Sequence, residues 1–269
     1  MTLVLNNELA NMLEQSEIDA LRSRLIAIQQ IEGNPMGVEI QNFGHATAFS
    51  VQNIPGPAFN IVKGLKAGDE PCVEQIVSFY KQKEIPARFE LTPAAASSEL
   101  LACLSKAGFY HHDFHTTLYT HVLKVNEIET SHSINIRKLE RNEFDIFADI
   151  YVKGFGMPDF LKSGVAQNNE VLYEDEHWTF YLATYNNEPA GIGVLFTKDS
   201  IATLAAAATL PNLRNEGIQS ALIKHRIREA IEKDCNLIFG QAKFGSVSQN
   251  NMERAGLQVA YTKAIWIGK

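Results

Sequence analysis

Three cysteines in 269 residues, Cys72, Cys103 and Cys235, are too few and too scattered for a disulfide framework or a zinc cluster. They fit reduced thiols, and with them a cytoplasmic protein. Hydrophobic runs are short. The longest, Ile201 to Leu210, spans ten residues and already contains Thr203, whereas a membrane-crossing helix needs about 20. The opening MTLVLNNELA has no basic stretch ahead of an apolar core and no small-residue cleavage site, so export is not expected. Basic residues are outnumbered: 24 Lys and Arg against 31 Asp and Glu leave a net charge of −7 with no cationic stripe. That balance argues against nucleic acid as a partner. A phosphate-loop lysine pattern is missing, and Gly191-Ile192-Gly193 lacks the third glycine and following helix of a dinucleotide fingerprint.

What the chain does have is core material. With 45% hydrophobic and 20% charged residues it can bury one large domain or two ordinary ones. Charge is uneven: residues 1–130 carry nine basic and fifteen acidic side chains, residues 131–269 fifteen and sixteen. The second half is therefore the better host for an anionic ligand, and the first half favours a cationic substrate through long-range steering.

Periodicity divides the chain further. Helical spacing is expected over 8–31, a β-rich stretch over 38–62, a helix from Asp69 to Lys83, a strand at Ala87–Leu91, a helix at Ser97–Lys106 and a long strand from Phe109 to Val122. The polar Lys124–Ser133 reads as a connection. Beyond it come a strand at Ile134–Lys138, helical stretches at Glu140–Gly154 and Pro158–Tyr173, and strands at Trp178–Tyr185, Ala190–Phe196 and Ile201–Ala208. The first two of these are joined at Asn186-Asn187, a hairpin-turn pair, and the third is reached through Lys198-Asp199. A helix at Gly217–Lys233, a strand at Asn236–Gln241, a helix at Ser248–Arg254 and a strand at Gln258–Ile267 close the sequence. The order from Asp69 to Val122 echoes that from Gly217 to Ile267, including Ala107-Gly108-Phe109 against Ala255-Gly256-Leu257. One fold repeated in tandem accounts for this. The expected division is a first domain at 1–125, a linker at 126–133 and a second domain at 134–269.

The segment Thr209–Arg226, TLPNLRNEGIQSALIKHR, carries the clearest chemistry. A strand runs into a proline loop, and Arg214, Asn215, Glu216 and Gly217 open a long helix. Backbone N–H groups in such a first turn lack intrahelical partners and carry the positive end of the helix dipole. Together with an arginine they bind phosphate. Gly217 permits a close approach of the backbone. The plain alternative is a strand–turn–helix connection with a solvated arginine.

Pro211-Asn212-Leu213-Arg214-Asn215-Glu216-Gly217-Ile218-Gln219-Ser220-Ala221-Leu222 resembles the acyl-CoA loop of the GNAT N-acetyltransferase superfamily, Arg/Gln-x-x-Gly-x-Gly/Ala followed by Ser/Thr-Ala-Leu. The element order from Ile134 to Ile267 is also similar to that fold, and the first half resembles a degenerate copy. The resemblance implies an α/β (α+β) fold of two tandem GNAT-like domains, each a mixed, mostly antiparallel sheet flanked by helices. It implies acetyl-CoA as cosubstrate, with main-chain groups of Ala208, Thr209 and Leu210 beside the pantetheine and thioester. Arg214, Asn215, Glu216, Gly217, Ile218, Gln219 and Ser220 are then placed around the diphosphate. It further implies transfer of an acetyl group to a primary amine, small-molecule or peptide, by direct attack in a ternary complex. The oxyanion would be met by a main-chain N–H near Leu210.

Two departures stand out. Gln219 occupies a position usually held by Gly or Ala. The family's usual tyrosine, four residues before the glycine that ends the last helix, is replaced by Met252, which cannot donate a proton. Ser246, Ser248, Asn251 and Tyr261 are the nearby donors, with helix capping the competing role for the two serines. No residue identifies a general base or acid. In the first half, Lys63–Glu70 lacks the arginine-glycine spacing and places Asp69 and Glu70 where a phosphate would sit, which argues against a second CoA site.

Other signals carry less. His111, Asp113 and His115 share a strand face, but on a closing strand they read as solvent-facing residues, and no metal is expected. Glu174-Asp175-Glu176-His177 is either a general base near a cationic acceptor or a solvated acidic turn. Ala205–Ala208 indicates close packing against CoA, a helix or the core. The alternative to an enzyme is a non-catalytic acyl-CoA-binding regulatory module, prompted by Met252 and the diverged first half.

Overall fold

The computed structural model describes residues 4–121, apart from Pro55 and Pro57, and residues 133–268. It divides into two compact units, Met1–Thr117 with Ala260–Lys269, and Leu118–Val259. Residues 126–132 of the expected linker lie outside the described residues.

In the first unit, helix α1 (Asn7–Gln29) starts where the Asn6 side chain accepts the Leu9 N–H at 2.8 Å, and it buries Leu9, Leu13, Leu25 and Ile28. Strands β1 (Val38–Phe43), β2 (Ala46–Val51) and β3 (Ile61–Lys63) follow as an antiparallel meander. A 3-10 turn at Glu70–Cys72 leads into α2 (Val73–Lys81), whose Val73, Ile76, Phe79 and Tyr80 are buried. Strand β4 (Arg88–Leu91) then lies parallel to β3. Helix α3 (Ser98–Lys106) is capped by Ser97, and β5 (Phe109–His121) belongs to this unit as far as Thr117.

The second unit repeats that plan. Strand β6 (Ile134–Lys138) is followed by α4 (Phe144–Phe155) and α5 (Lys162–Glu170). Strands β7 (Trp178–Tyr185), β8 (Glu188–Lys198) and β9 (Ile201–Thr209) form the antiparallel meander. Helix α6 (Ile218–Glu232) crosses over to β10 (Leu237–Lys243), parallel to β9, and α7 (Val247–Arg254) follows. The strand order is β10-β9-β8-β7-β6. Asn186 and Asn187 both have positive φ, as a two-residue hairpin turn requires. The next turn is Asp199-Ser200, with φ of 51° and 59°, one residue later than expected. Gly191 and Gly193 serve the core: a Cβ on Gly191 would meet Ile218 at 2.8 Å, and one on Gly193 would meet Leu222 and Arg226 at 3.2 Å. The two glycines let α6 lie close against β8.

Strand β11 (Gln258–Gly268) departs from the expected division, because residues 260–268 belong to the first unit. They pair antiparallel with β4, from Ala264 opposite Leu91 to Ile267 opposite Arg88. Lys263 is 1% exposed and buried against Glu17 of α1 and Glu90 of β4. The ladder and the ion pairs are what assign the strand, and neither is visible in chain order. Among the described residues no helix is long and apolar enough to cross a membrane.

Candidate functional site

Strands β9 and β10 are paired only from Ile201 opposite Leu237 to Leu204 opposite Gly240. Past that point both continue, to Thr209 and Lys243, without pairing with each other. The separation begins at a bulge: pairing of β8 with β9 jumps from Leu195 opposite Leu204 to Gly193 opposite Ala207, leaving Ala205 and Ala206 against Val194. Arg226, 1% exposed, fastens the bulge, its Nη1 donating to the Val194 carbonyl at 3.0 Å and the Ala206 carbonyl at 3.5 Å. Its Nε donates to the Leu222 carbonyl at 3.1 Å. Burial pulls this guanidinium down to about 10. Arg226 is not among the residues expected from the sequence, although a cation four residues after Leu222 on the apolar stripe of α6 is a signal for it.

From the end of β9 a 3-10 turn at Pro211–Leu213 leads to Arg214, whose Nη2 donates to the Gly154 carbonyl in the last turn of α4 at 2.8 Å. Asn215 and Gly217 then take positive φ, 71° and 83°, and α6 begins at Ile218. Among the described residues, the backbone N–H groups from Glu216 to Ser220 donate to no acceptor within the protein. They form the free donor end of a helix of fifteen residues. In front of those of Gly217 to Ser220 lies a cavity of about 680 Å³. Eight of the ten residues proposed from sequence line it: Ala208, Thr209, Arg214, Asn215, Gly217, Ile218, Gln219 and Ser220. Thr209 also presents a buried Oγ1 with no hydrogen-bond partner.

Two residues are placed otherwise. Glu216 is not among the cavity walls, and its carboxylate accepts the Tyr185 hydroxyl at 3.0 Å. Leu210 is not among them either, and its N–H is spent on the Ala190 carbonyl at 2.9 Å, continuing the β8–β9 ladder. That amide is not available to an oxyanion. Because donors alternate along a strand, the neighbouring Thr209 N–H faces the open edge instead.

On α7, Ser246 is the helix cap, its Oγ accepting the Gln249 N–H at 3.2 Å. Ser248 and Asn251 line the cavity, together with Arg254, which sequence reasoning did not single out. Met252 is 5% exposed and packs where a Cβ on Gly240 would approach its sulfur to 3.0 Å, so it is a core residue. Tyr261 belongs to the first unit, where it is buried, and it lines no part of this cavity. The acidic turn is structural: Asp175 caps the His177 N–H at 2.9 Å, the His177 ring meets the Thr197 carbonyl at 2.9 Å, and Arg141 pairs with Glu174 at 2.8 Å. His111 turns its Nε2 to the Asp113 carbonyl at 3.0 Å and stacks edge-on against Phe114. His115 is half-buried and pushed down to about 4 by burial and the Lys263 charge.

The matching loop of the first unit is already filled. Asp69 Oδ1 accepts the His45 N–H at 3.2 Å, its Oδ2 accepts the Lys66 N–H at 3.1 Å, and Glu70 accepts the Gly68 N–H at 2.9 Å. The chain's own carboxylates occupy the donors an anion would need. Beyond the single β3–β4 pairing at Val62 and Phe89, where β9 and β10 open a cavity in the second unit, Lys63 and Lys263 pair with Glu17 and Glu90, all buried. Burial pushes the Glu17 and Glu90 carboxyls up, but the two ammonium groups outweigh it and hold both below the usual range.

Residues 144–252 match the model of the acetyltransferase (GNAT) family. No curated protein matches the sequence. Among solved structures, a GCN5-related N-acetyltransferase from Kribbella flavida aligns with a TM-score of 0.64 at 12% identity over 91% of this chain and 95% of its own. A tandem GNAT protein from the clavulanic acid biosynthesis pathway aligns with 0.62 at 10% identity over 91% and 86%. A functionally unknown conserved protein from Staphylococcus epidermidis gives 0.64 at 13% over 90% and 96%. Residues 144–252 are thus similar in sequence to the GNAT acetyltransferase family, and the fold of nearly the whole chain is similar to that of a tandem GNAT protein.

Proposed function

We propose that the second-unit cavity seats acetyl-CoA and that the protein transfers the acetyl group to a primary amine. The observation that carries this reading is the row of unpartnered N–H groups from Gly217 to Ser220, facing the cavity beside an anchored Arg214, with Gly217 in the left-handed conformation. These donors and the helix dipole suit a diphosphate. The free edge of β9 at Ala207–Thr209 suits the amides of a pantetheine arm.

The reaction needs little from side chains. The neutral amine attacks the thioester carbonyl, a C–N bond forms, the C–S bond breaks, and the amine proton leaves to water. With a thiol pKa of about 8.5 the thiolate is a fair leaving group without a strong acid, which fits a buried Met252. The Thr209 N–H on the open edge is the donor for the oxyanion. Ser248 and Asn251 are the hydrogen-bonding side chains on the α7 wall.

The test is calorimetric titration of acetyl-CoA combined with thiol release over a panel of amines. Binding with release over at least one amine is expected. Absence of binding would overturn the site, and tight binding without release over any amine would make the protein an acyl-CoA-binding module.

A further inference from the structure

The first unit contains a separate cavity of about 580 Å³, beside the end of α2, the start of β4 and the last residues of β11. Its walls are mainly apolar, with Val77, Ile85, Pro86, Phe109 and Ile267 among them. Its polar side chains of note are Lys81, Arg88 and His112, and among the described residues no carboxylate side chain lines it. In a chain with 31 acidic against 24 basic residues, this is a local excess of positive charge.

Arg88 is the informative member. Its nearest carboxylate, Glu90, is 3.9 Å away from Nη2, beyond hydrogen-bond distance, and Glu90 already pairs with both Lys63 and Lys263. The Arg88 Nε is buried with no hydrogen-bond partner. Arg88 is a guanidinium with only a long contact to a carboxylate shared with two lysines, and its side chain is 25% exposed at the wall of an apolar cavity of small-molecule size, which leaves its terminal N–H groups able to take an acceptor. Lys81 has no ion-pair partner among the described residues.

We propose that this cavity binds a small monocarboxylate with an aromatic or branched apolar body, its carboxylate held by Arg88 and Lys81. The fork of a guanidinium matches a carboxylate, and the apolar walls accept the remainder. An ammonium group on the ligand has no counter-charge here, so the free acid is preferred over the corresponding amino acid. This site is independent of the acyl-CoA reading of the second unit.

Calorimetry on the full chain with 3-phenylpropionate and the neutral 3-phenylpropionamide tests the proposal. The acid is expected to bind about tenfold or more tightly than the amide, the difference one charge-assisted pair supplies. Arg88→Met and the exposed Lys81→Met each weaken the acid, and Val77→Trp, which fills the cavity, removes its binding. Equal binding of acid and amide, binding of neither, or an unchanged affinity in Lys81→Met and Val77→Trp would overturn it. The latter two variants decide the matter if Arg88→Met fails to fold.

Discussion

The side-chain amide of Gln219, in the first turn of α6, donates to the Ser248 hydroxyl of α7 at 3.2 Å, and both residues face the same cavity. The unusual residue of the loop thus has a partner on the facing helix, and the first turn keeps its helical form despite it. The donors proposed for the anion are main-chain groups, which a change of side chain leaves in place. Gln219→Ala is expected to change acetyl-CoA affinity by less than about threefold, the lower end of what one neutral hydrogen bond contributes. Calorimetry measures it, and a loss beyond tenfold would mean that the amide itself holds the phosphate.

Arg214 behaves differently, because it adds charge. Its side chain is exposed except for the anchor to Gly154, so Arg214→Glu should leave circular dichroism and melting nearly unchanged. Acetyl-CoA affinity is expected to fall by about 10- to 100-fold, corresponding to loss of a charge-assisted contact plus repulsion. Unchanged affinity would remove the diphosphate assignment.

Gly217 separates backbone strain from steric clearance. At φ 83° a Cβ meets nothing nearer than Ile134 at 3.9 Å, so the site has space but the wrong dihedral for most residues. Gly217→Val is expected to cost about 1–2 kcal/mol of stability and to impair binding. Gly217→Asn, which tolerates this conformation, should retain stability. If the Asn variant is stable but does not bind, clearance for the ligand is the reason for glycine. If it binds normally, the turn is.

Restoring the missing tyrosine should not restore an acid. Met252 is packed under Gly240, so Met252→Tyr overfills the core, with an expected loss of about 1–3 kcal/mol by denaturant unfolding and no gain in turnover.

The buried charges of the first unit set its response to acid. Glu17 and Glu90 titrate lower in the folded protein than in the unfolded chain, so their stabilising contribution is present above the unfolded value of about 4.5 and is lost as pH falls through the folded values. His115 adds to the loss earlier. Its folded value of about 4 lies below an unfolded 6.5, so the unfolded chain takes up its proton first and stability declines between those two limits. Glu14, raised by burial and by the neighbouring Glu17, acts in the opposite direction as it protonates. Denaturant unfolding measured from pH 7 to 4 should show stability falling below about pH 6.5, and His115→Gln should flatten the upper part of that slope. A slope unchanged in the variant would place the proton uptake elsewhere.

The sequence by itself determined the elements and the order in which they occur. Local signals suffice for that: Asn6 and Ser97 cap their helices, the Asn186-Asn187 pair turns a hairpin, and apolar stripes at helical spacing mark α2 and α6. The loop from Arg214 to Ser220 was legible for the same reason, since a helix start and its free amides are consecutive in the chain. Tertiary structure alone decided the rest, because it depends on residues far apart. The assignment of β11 to the first unit rests on hydrogen bonds to β4 and on Lys263 meeting Glu17, 246 positions away. The opening between β9 and β10 rests on a bulge fastened by a buried Arg226, and the closure of the first unit's loop on Asp69 reaching back to His45. The Leu210 amide is taken up by Ala190 for the same reason: whether a strand amide is free depends on which neighbour it faces, and only the folded sheet specifies that neighbour.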